Sequence, residues 1–360
     1  MAGTAFNTAN WDGYDEAPAT NPGSALTDFT LLIDISTLSA DWKAAVQSDA
    51  GDIRCTKGDD TEIPLDVINF AYNAGAPTGF IRVLWSATLA SSGTQNLRVY
   101  VGHGTAVAYD ANETYGSDNA YDEYWEAYIP MQEDAKDRTS HSNDFTAQGS
   151  ITIGGATGQF GDATTFDGSD DALTRADAVC SAEPFTFMCW ANDDTTGDVI
   201  IGINNSGDPD DGWALYKHSS GGNKVSAMAV DDDGPTYAYG KSTDSMPASG
   251  WFHAAAVFAS DTSRTGYMNA VPGSADTTSV TANPAADPET AIGRTPRYDS
   301  ADYVGDLQDA QIHSTDRATA WIAEEYAQSN DQPAFWGVWA WTAASGTIAR
   351  QVISAYRRTR

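Results

Sequence analysis

A chain of 360 residues with 50 acidic against 19 basic side chains carries a formal charge of −31, which repels phosphate backbones and excludes nucleic acid as a partner. The length suits two hydrophobic cores and 41% hydrophobic content is that of an ordered globular chain. No apolar run approaches the roughly 18 residues of a membrane span, so membrane insertion is excluded on the same reading. Such acidity is compatible with solubility in high salt, with cation binding or with a basic partner. Three cysteines, Cys55, Cys180 and Cys189, are too few and too odd in number for a disulfide framework.

Residues 1–23 are small and polar, with Trp11 and Tyr14 as the large anchors, and lack the basic and apolar regions of a secretory signal. They read as an arm, either free or packed on a neighbouring subunit. Residues 24–120 read as a first β domain, a sandwich. Phe29–Ile35 and Phe80–Trp85 are strand-like, Leu97, Val99 and Val101 alternate with Arg98 and Tyr100, and Asp41–Val46 suits a helical turn. Arg54 reads as one half of a structural ion pair with Asp52 or Glu62. Gly51–Arg54, Thr61–Pro64 and Tyr100–His103 resemble the GDIRF, T-x-L/I-P and YYGN-type steps of a bacterial and phage domain of unknown function that commonly precedes a laminin G-like jelly roll. Cys55 stands where that family usually has Phe, and His103 where it usually has Asn.

Tyr115–Tyr128 is dense in aromatics and leads into a strand at Trp125–Met131. Ala163–Phe166 and Pro184–Trp190 follow, joined through the polar corner Asp167-Gly168-Ser169-Asp170-Asp171, where Gly and Asp supply turn geometry. Val199–Ile203, Trp213–Lys217, Lys224–Val230 and Thr236–Tyr239 are short strands separated by Gly/Asp/Asn turns. Trp251–Phe258 is apolar on both parities, as in a strand covered on both faces. Asp316–Gln328 has helical spacing that turns Trp321 and Ile322 to one side. Taken in order, FDG, PFTFMCW, WFHAAAVF, GYMNA and the stretch Tyr303–Tyr326 resemble successive strands of a laminin G-like, concanavalin A-type jelly roll over residues 121–335. The fold class expected is therefore all-β: a β-sandwich followed by a concanavalin A-like jelly roll, with a short helical tail.

The resemblance also implies a calcium site. Asp137, Thr139 and Asn143 match a D-x-S/T-x-x-x-N loop, and Gly305–Ile312 matches G-x-L/I-D-E/D-V-R-I, with Gln308 in place of a carboxylate. Calcium takes several hard oxygens, and Asp137, Asn143, Asp306 and Asp309 are the candidate ligands. The competing reading is that these side chains cap turns and hydrogen-bond backbone. No other cofactor is implied.

Residues 336–360 add Trp336, Trp339 and Trp341, a helical face of Ile348, Val352, Ile353 and Tyr356, and the basic cluster Arg350, Arg357, Arg358 and Arg360. Trp336, Trp339 and the four arginines form a candidate docking element. The alternative is a strap lying on the chain's own acidic domain.

A fold of this class hosts lectins, adhesion modules and glycosidases, so function must come from the site. Retaining glycosidases need two carboxylates about 5–5.5 Å apart, and no E-x-D-x-E strand is present. His103, His141, His218, His253 and His313 are scattered with no G-x-S-x-G elbow and no phosphate loop. A non-catalytic protein is expected. Trp213, Tyr216, Tyr237 and Tyr239 are the candidate glycan-binding residues, because a sugar stacks its C–H face on an aromatic ring; core packing is the competing reading of each. The phage resemblance and the unremarkable N-terminus favour a virion setting, a capsid decoration or tail-associated subunit. Its partners would be capsid or tail proteins and host-surface polysaccharide, as a homo-oligomer on the particle. A secreted bacterial glycan-binding adhesin or a remote glycosidase is the alternative.

Overall fold

The structure is a computed structural model describing residues 2–20, 23–73, 75–91, 94–192, 198–205, 211–219, 222–231, 236–282, 284, 288–295 and 302–344. The chain divides into two compact units, Met1–Asp122 with Ala327–Arg360, and Glu123–Tyr326.

The first unit contains β1 (Gly13–Thr20), β2 (Leu26–Asp34), β3 (Arg54–Lys57), β4 (Glu62–Ile63), β5 (Leu65–Ala71), β6 (Thr78–Leu89) and β7 (Thr94–Val101), with helix α1 (Ala40–Ala45) between β2 and β3. Ser39 starts α1 by accepting the Trp42 N–H on its hydroxyl, while Asp41 occupies the first turn, where a negative charge suits the helix dipole. β2, β6 and β5 form one antiparallel sheet; β1, β7, β3 and β4 form the other, which is closed at its far edge by Ala340–Ala343. The alternation in β7 is observed, with Leu97, Val99 and Val101 fully buried. β1 lies within residues 1–23, expected as an arm. It is instead an interior strand, paired on one side with β7 and on the other with residues 340–343. Its buried Ala17 and Ala19 are small, so their burial gives little hydrophobic periodicity to read.

The second unit is the jelly roll. Its strands are β8 (Trp125–Ile129), β9 (Thr146–Gln148), β10 (Ala156–Thr157), β11 (Asp162–Asp167), β12 (Ala172–Arg175), β13 (Phe185–Asn192), β14 (Val199–Asn205) and β15 (Gly212–His218). They continue with β16 (Lys224–Asp231), β17 (Thr236–Lys241), β18 (Phe252–Ser260), β19 (Ser263–Met268), β20 (Val271–Pro272), β21 (Pro288–Ile292) and β22 (Val304–His313). Helix α2 (Thr319–Asn330) follows, then α3 (Gln332–Trp336) and β23 (Ala340–Ala343). One sheet runs β10-β11-β22-β13-β18-β19-β20 with β8 also paired to β22, and the other runs β17-β16-β15-β14-β21-β12-β9.

Alternate residues of the two sheets meet in a single core. Phe185, Phe187 and Cys189 of β13 and Ala254, Ala256 and Phe258 of β18 face Trp213 and Leu215 of β15 and Val225, Ala227 and Ala229 of β16. The Phe185 ring stacks on Phe258 with centroids 4.6 Å apart. At the sandwich edge Gly240 and Gly266 let β17 and β19 approach, since a Cβ on Gly240 would stand 2.2 Å from the Arg264 carbonyl oxygen. With Gly240 pointing inward, its neighbours Tyr239 and Lys241 must point out.

Candidate functional site

The outward face of the β14–β17 sheet gathers three tyrosines that remain partly accessible, Tyr216, Tyr237 and Tyr239. Strand register sets them in rows: Gly212, Val230 and Tyr237; Ala214, Met228 and Tyr239; Tyr216, Ser226 and Lys241. Val199, Ala214 and Met228 make a buried apolar floor, and Tyr216 and Tyr239 pack against it. The Tyr237 and Tyr239 rings are almost parallel, 6° between planes with centroids 6.3 Å apart, and Tyr237 is 44% exposed. Tyr216 lies 6.2 Å from Tyr239, and His218 sets its edge against Tyr239 at 4.5 Å. Burial raises the Tyr216 and Tyr239 phenols above the ordinary tyrosine value, with the nearby Asp198 adding to the effect at Tyr216. Both phenols therefore remain protonated at neutral pH. The result is a shallow aromatic platform with hydroxyl donors and a basic margin.

Three of the four candidate ligand-binding residues thus meet on one face. Trp213 does not. It has the opposite parity in β15, is 2% exposed, sets its ring against Phe185 at 5.1 Å and donates its indole N–H to Glu183 Oε1 at 3.1 Å. Its assignment to the binding face is corrected: it is a core residue. His218, Ser226 and Lys241 were not singled out from sequence as part of this face. The signal was present, because Tyr216 and His218, like Tyr239 and Lys241, are two residues apart in one strand.

The four candidate metal ligands are engaged with the protein. Asp137 accepts the backbone N–H groups of Tyr128, Thr139 and Asn143 at 2.8–2.9 Å and the Thr139 hydroxyl at 2.8 Å. Burial raises its carboxyl above the usual range against the pull of those donors. Asn143 donates to the Glu126 carbonyl at 2.7 Å. Asp306 accepts from Thr165 at 2.6 Å, and Asp309 accepts from the Gln311 amide at 2.8 Å. Among the described residues, the three-carboxylate group with converging oxygens is instead Asp167, Asp170 and Asp171. Two of those three already hold neighbouring backbone: Asp167 takes the Ser169 N–H, and Asp171 takes those of Ser150 and Asp167. Gln308, where the resembled family has a carboxylate, is fully buried. Its amide oxygen accepts the N–H groups of Gln159 and Phe160 and its nitrogen donates to the carbonyls of Phe160 and Asp162. Only an amide can do both.

The candidate docking tryptophans are occupied within the first unit. Trp336 is 1% exposed and donates its indole N–H to the Leu32 carbonyl at 2.8 Å, and Trp339, 5% exposed, lies 5.0 Å from the Trp336 ring. Their assignment as a free docking surface is corrected, because apolar indoles bury more area against their own domain than they would expose. Arg350, Arg357, Arg358 and Arg360, with the proposed helix face around them, lie outside the described residues. Arg54 is fully buried and donates to the carbonyls of Thr4, Gly51, Ile53 and Val107, with Glu62 at 3.7 Å. Asp52 meanwhile accepts backbone N–H groups of Gln47, Gly102 and His103.

No curated protein matches the chain. Domain 4 of a GH43 extracellular arabinanase from Geobacillus stearothermophilus, solved with arabinotriose, is 18% identical with a TM-score of 0.49, covering 57% of this chain and 98% of that one. The binding domain of Paraclostridial mosquitocidal protein 1 is 10% identical with a TM-score of 0.45, and the receptor-binding domain of a botulinum neurotoxin C/D mosaic serotype 12% with 0.42. Each covers 57% of this chain, which spans about half the length of those two toxin structures, 52% and 51%. Residues 166–323 match the profile of the family described as the concanavalin A-like lectin/glucanases superfamily, and they lie within the two-sheet jelly roll described above.

Proposed function

We propose that this chain is a non-catalytic glycan-binding protein and that the Tyr216–Tyr237–Tyr239 platform is its binding face. The observation that carries the reading is the pair of nearly parallel rings at Tyr237 and Tyr239, the second of them packed on an apolar floor. Aromatic rings fixed on a strand lose little freedom when a pyranose settles on them, so the area they bury is offset by little ordering cost. A close pair of acids does exist in this unit, for the Gln311 amide nitrogen spans Asp309 at 2.8 Å and Glu325 at 2.9 Å. At 1% and 0% exposure the pair has no access to a substrate, which supports binding without cleavage. Tyr239→Ala and Tyr237→Ala are each expected to weaken glycan binding five- to tenfold, about 1 kcal/mol, in titrations against oligosaccharides chosen by array. Affinities unchanged by both substitutions, or release of reducing ends by the purified protein, would remove the reading.

We further propose a particle-borne setting, a phage surface subunit carrying this domain toward host polysaccharide. Its support is the likeness of Gly51–His103 to a domain shared by bacterial and phage proteins. Co-sedimentation of the chain with intact particles tests it; recovery solely with bacterial envelopes would favour a cell-borne adhesin.

A further inference from the structure

The platform carries a charge that its surroundings do not. The chain has six lysines, and three of them, Lys217, Lys224 and Lys241, fall on β15–β17. Lys217 points inward, is fully buried, and is paired with Asp198 at 3.0 Å. Lys224 gives its ammonium to the Thr243 carbonyl. Lys241 differs from both. It shares the outward face with Tyr239, its ammonium lies 5.6 Å from that ring's centroid, and among the described residues it meets no carboxylate.

Beside it in the same register row stands Ser226, fully buried, whose hydroxyl has no hydrogen-bond partner among the described residues. The row then ends on Tyr216. An unneutralised ammonium, an unsatisfied hydroxyl and two phenols are therefore set side by side on one face of a protein of charge −31. In so acidic a molecule a lysine without an acid partner leaves electrostatic stabilisation unused.

We infer that the glycan bound at this platform is acidic, with an anionic substituent of one sugar meeting Lys241 Nζ while that ring or its neighbour lies on Tyr239 and Tyr237. The inference rests on the platform reading above and adds the ligand's charge to it. The negative charge of the remaining surface does not prevent this. Charges farther away than the Debye length, about 8 Å at physiological ionic strength, are largely screened, whereas a contact between ammonium and anion is not. Lysine is also a point charge rather than a fork, so it can serve carboxylate and sulfate alike.

The test is calorimetric titration of the full chain with four probes: an oligogalacturonate, its methyl ester, a sulfated oligosaccharide of similar length, and its desulfated form. The acidic member of at least one pair is expected to bind ten times more tightly or better. Lys241→Gln should bring that ratio to about one, Lys241→Arg should keep it, and added salt should lower it. Carboxylate and sulfate are distinguished by which pair shows the preference. Equal affinities within both pairs, or a preference that survives Lys241→Gln, overturns the inference while leaving the platform in place. Absence of binding by all four probes and by the array sugars overturns both.

Discussion

Glu324 shows what single-residue burial does in this chain. It lies on α2 at 2% exposure, its Oε1 meets no hydrogen-bond donor among the described residues, and the next residue, Glu325, is also acidic. Loss of solvent and then the neighbouring carboxylate push it up to about 7. The unfolded chain releases this proton near the ordinary glutamate value of about 4.3, the folded chain only near 7. Between those values the unfolded state binds fewer protons, so stability falls as pH rises and the full penalty is present above the folded value. Relative to Glu324→Gln, the parent should lose on the order of 1–3 kcal/mol between about pH 5 and pH 8, read from urea denaturation at each pH. Parallel curves for the two proteins would show that Glu324 is ionised throughout. The same scale shows how side-chain chemistry departs from family expectation: Gln308 holds the Gln159–Asp162 turn through donors and acceptors together, which a carboxylate could not do. That a Gln stood there was legible from sequence, but its four partners, nearly 150 residues away, were not.

Among elements, the sheet edge at β2 illustrates how the C-terminal segment is used. A strand edge offers unpaired N–H and C=O groups that must be satisfied when buried. Gln328 accepts the Leu32 N–H at 2.8 Å and donates to the Thr30 carbonyl at 3.0 Å. Four residues on, Gln332 accepts the Asp34 N–H at 2.9 Å and donates to the Leu32 carbonyl at 3.1 Å. Two side-chain amides thus stand in for the missing neighbour strand, each repeating the donor and acceptor of a peptide. Gln328→Ala leaves two buried backbone groups unmatched, and the expected cost is about 2–4 kcal/mol in chemical denaturation, with faster amide exchange at Leu32. Unaltered exchange there would mean that water replaces the amide at no cost. Gln328 was visible in the sequence as the last position of a helical stretch, and Gln332 lay beyond it. Their role was not visible, because a helix pattern reports which residues share a side and nothing about what that side meets.

At the level of the whole molecule, the first unit is assembled from two pieces of chain that flank the second. Residues 327–344 supply the amides along β2, the buried Trp336 and the edge strand β23 beside β1. A fragment of residues 1–122 should therefore remain unfolded by circular dichroism and proton NMR, and fusing residues 327–344 to it through a flexible linker should restore a cooperative transition. Cooperative folding of 1–122 alone would show that the returning segment is dispensable. The sequence boundary drawn at residue 335 between jelly roll and tail follows the extent of the family resemblance, whereas the division in space falls between Tyr326 and Ala327, inside α2.

Much was written in local order. Alternation, apolar runs and Gly/Asp turns placed β2, β6 and β7 of the first unit and β8, β11 and β13–β18 of the second, because the direction of each side chain follows from strand geometry. The sequence also named Tyr216, Tyr237 and Tyr239, with Trp213, as candidates on the chemistry of aromatic rings; that the three tyrosines share a face follows from strand register. Tertiary structure decided the rest: that Trp213 points to the core, that residues 13–20 form an interior strand, and that residues 340–343 and Trp336 close sheet edges begun some 300 residues earlier. Backbone hydrogen-bonding groups are chemically identical along the chain, so which distant segment satisfies a given edge is settled by packing and complementarity once the chain is folded.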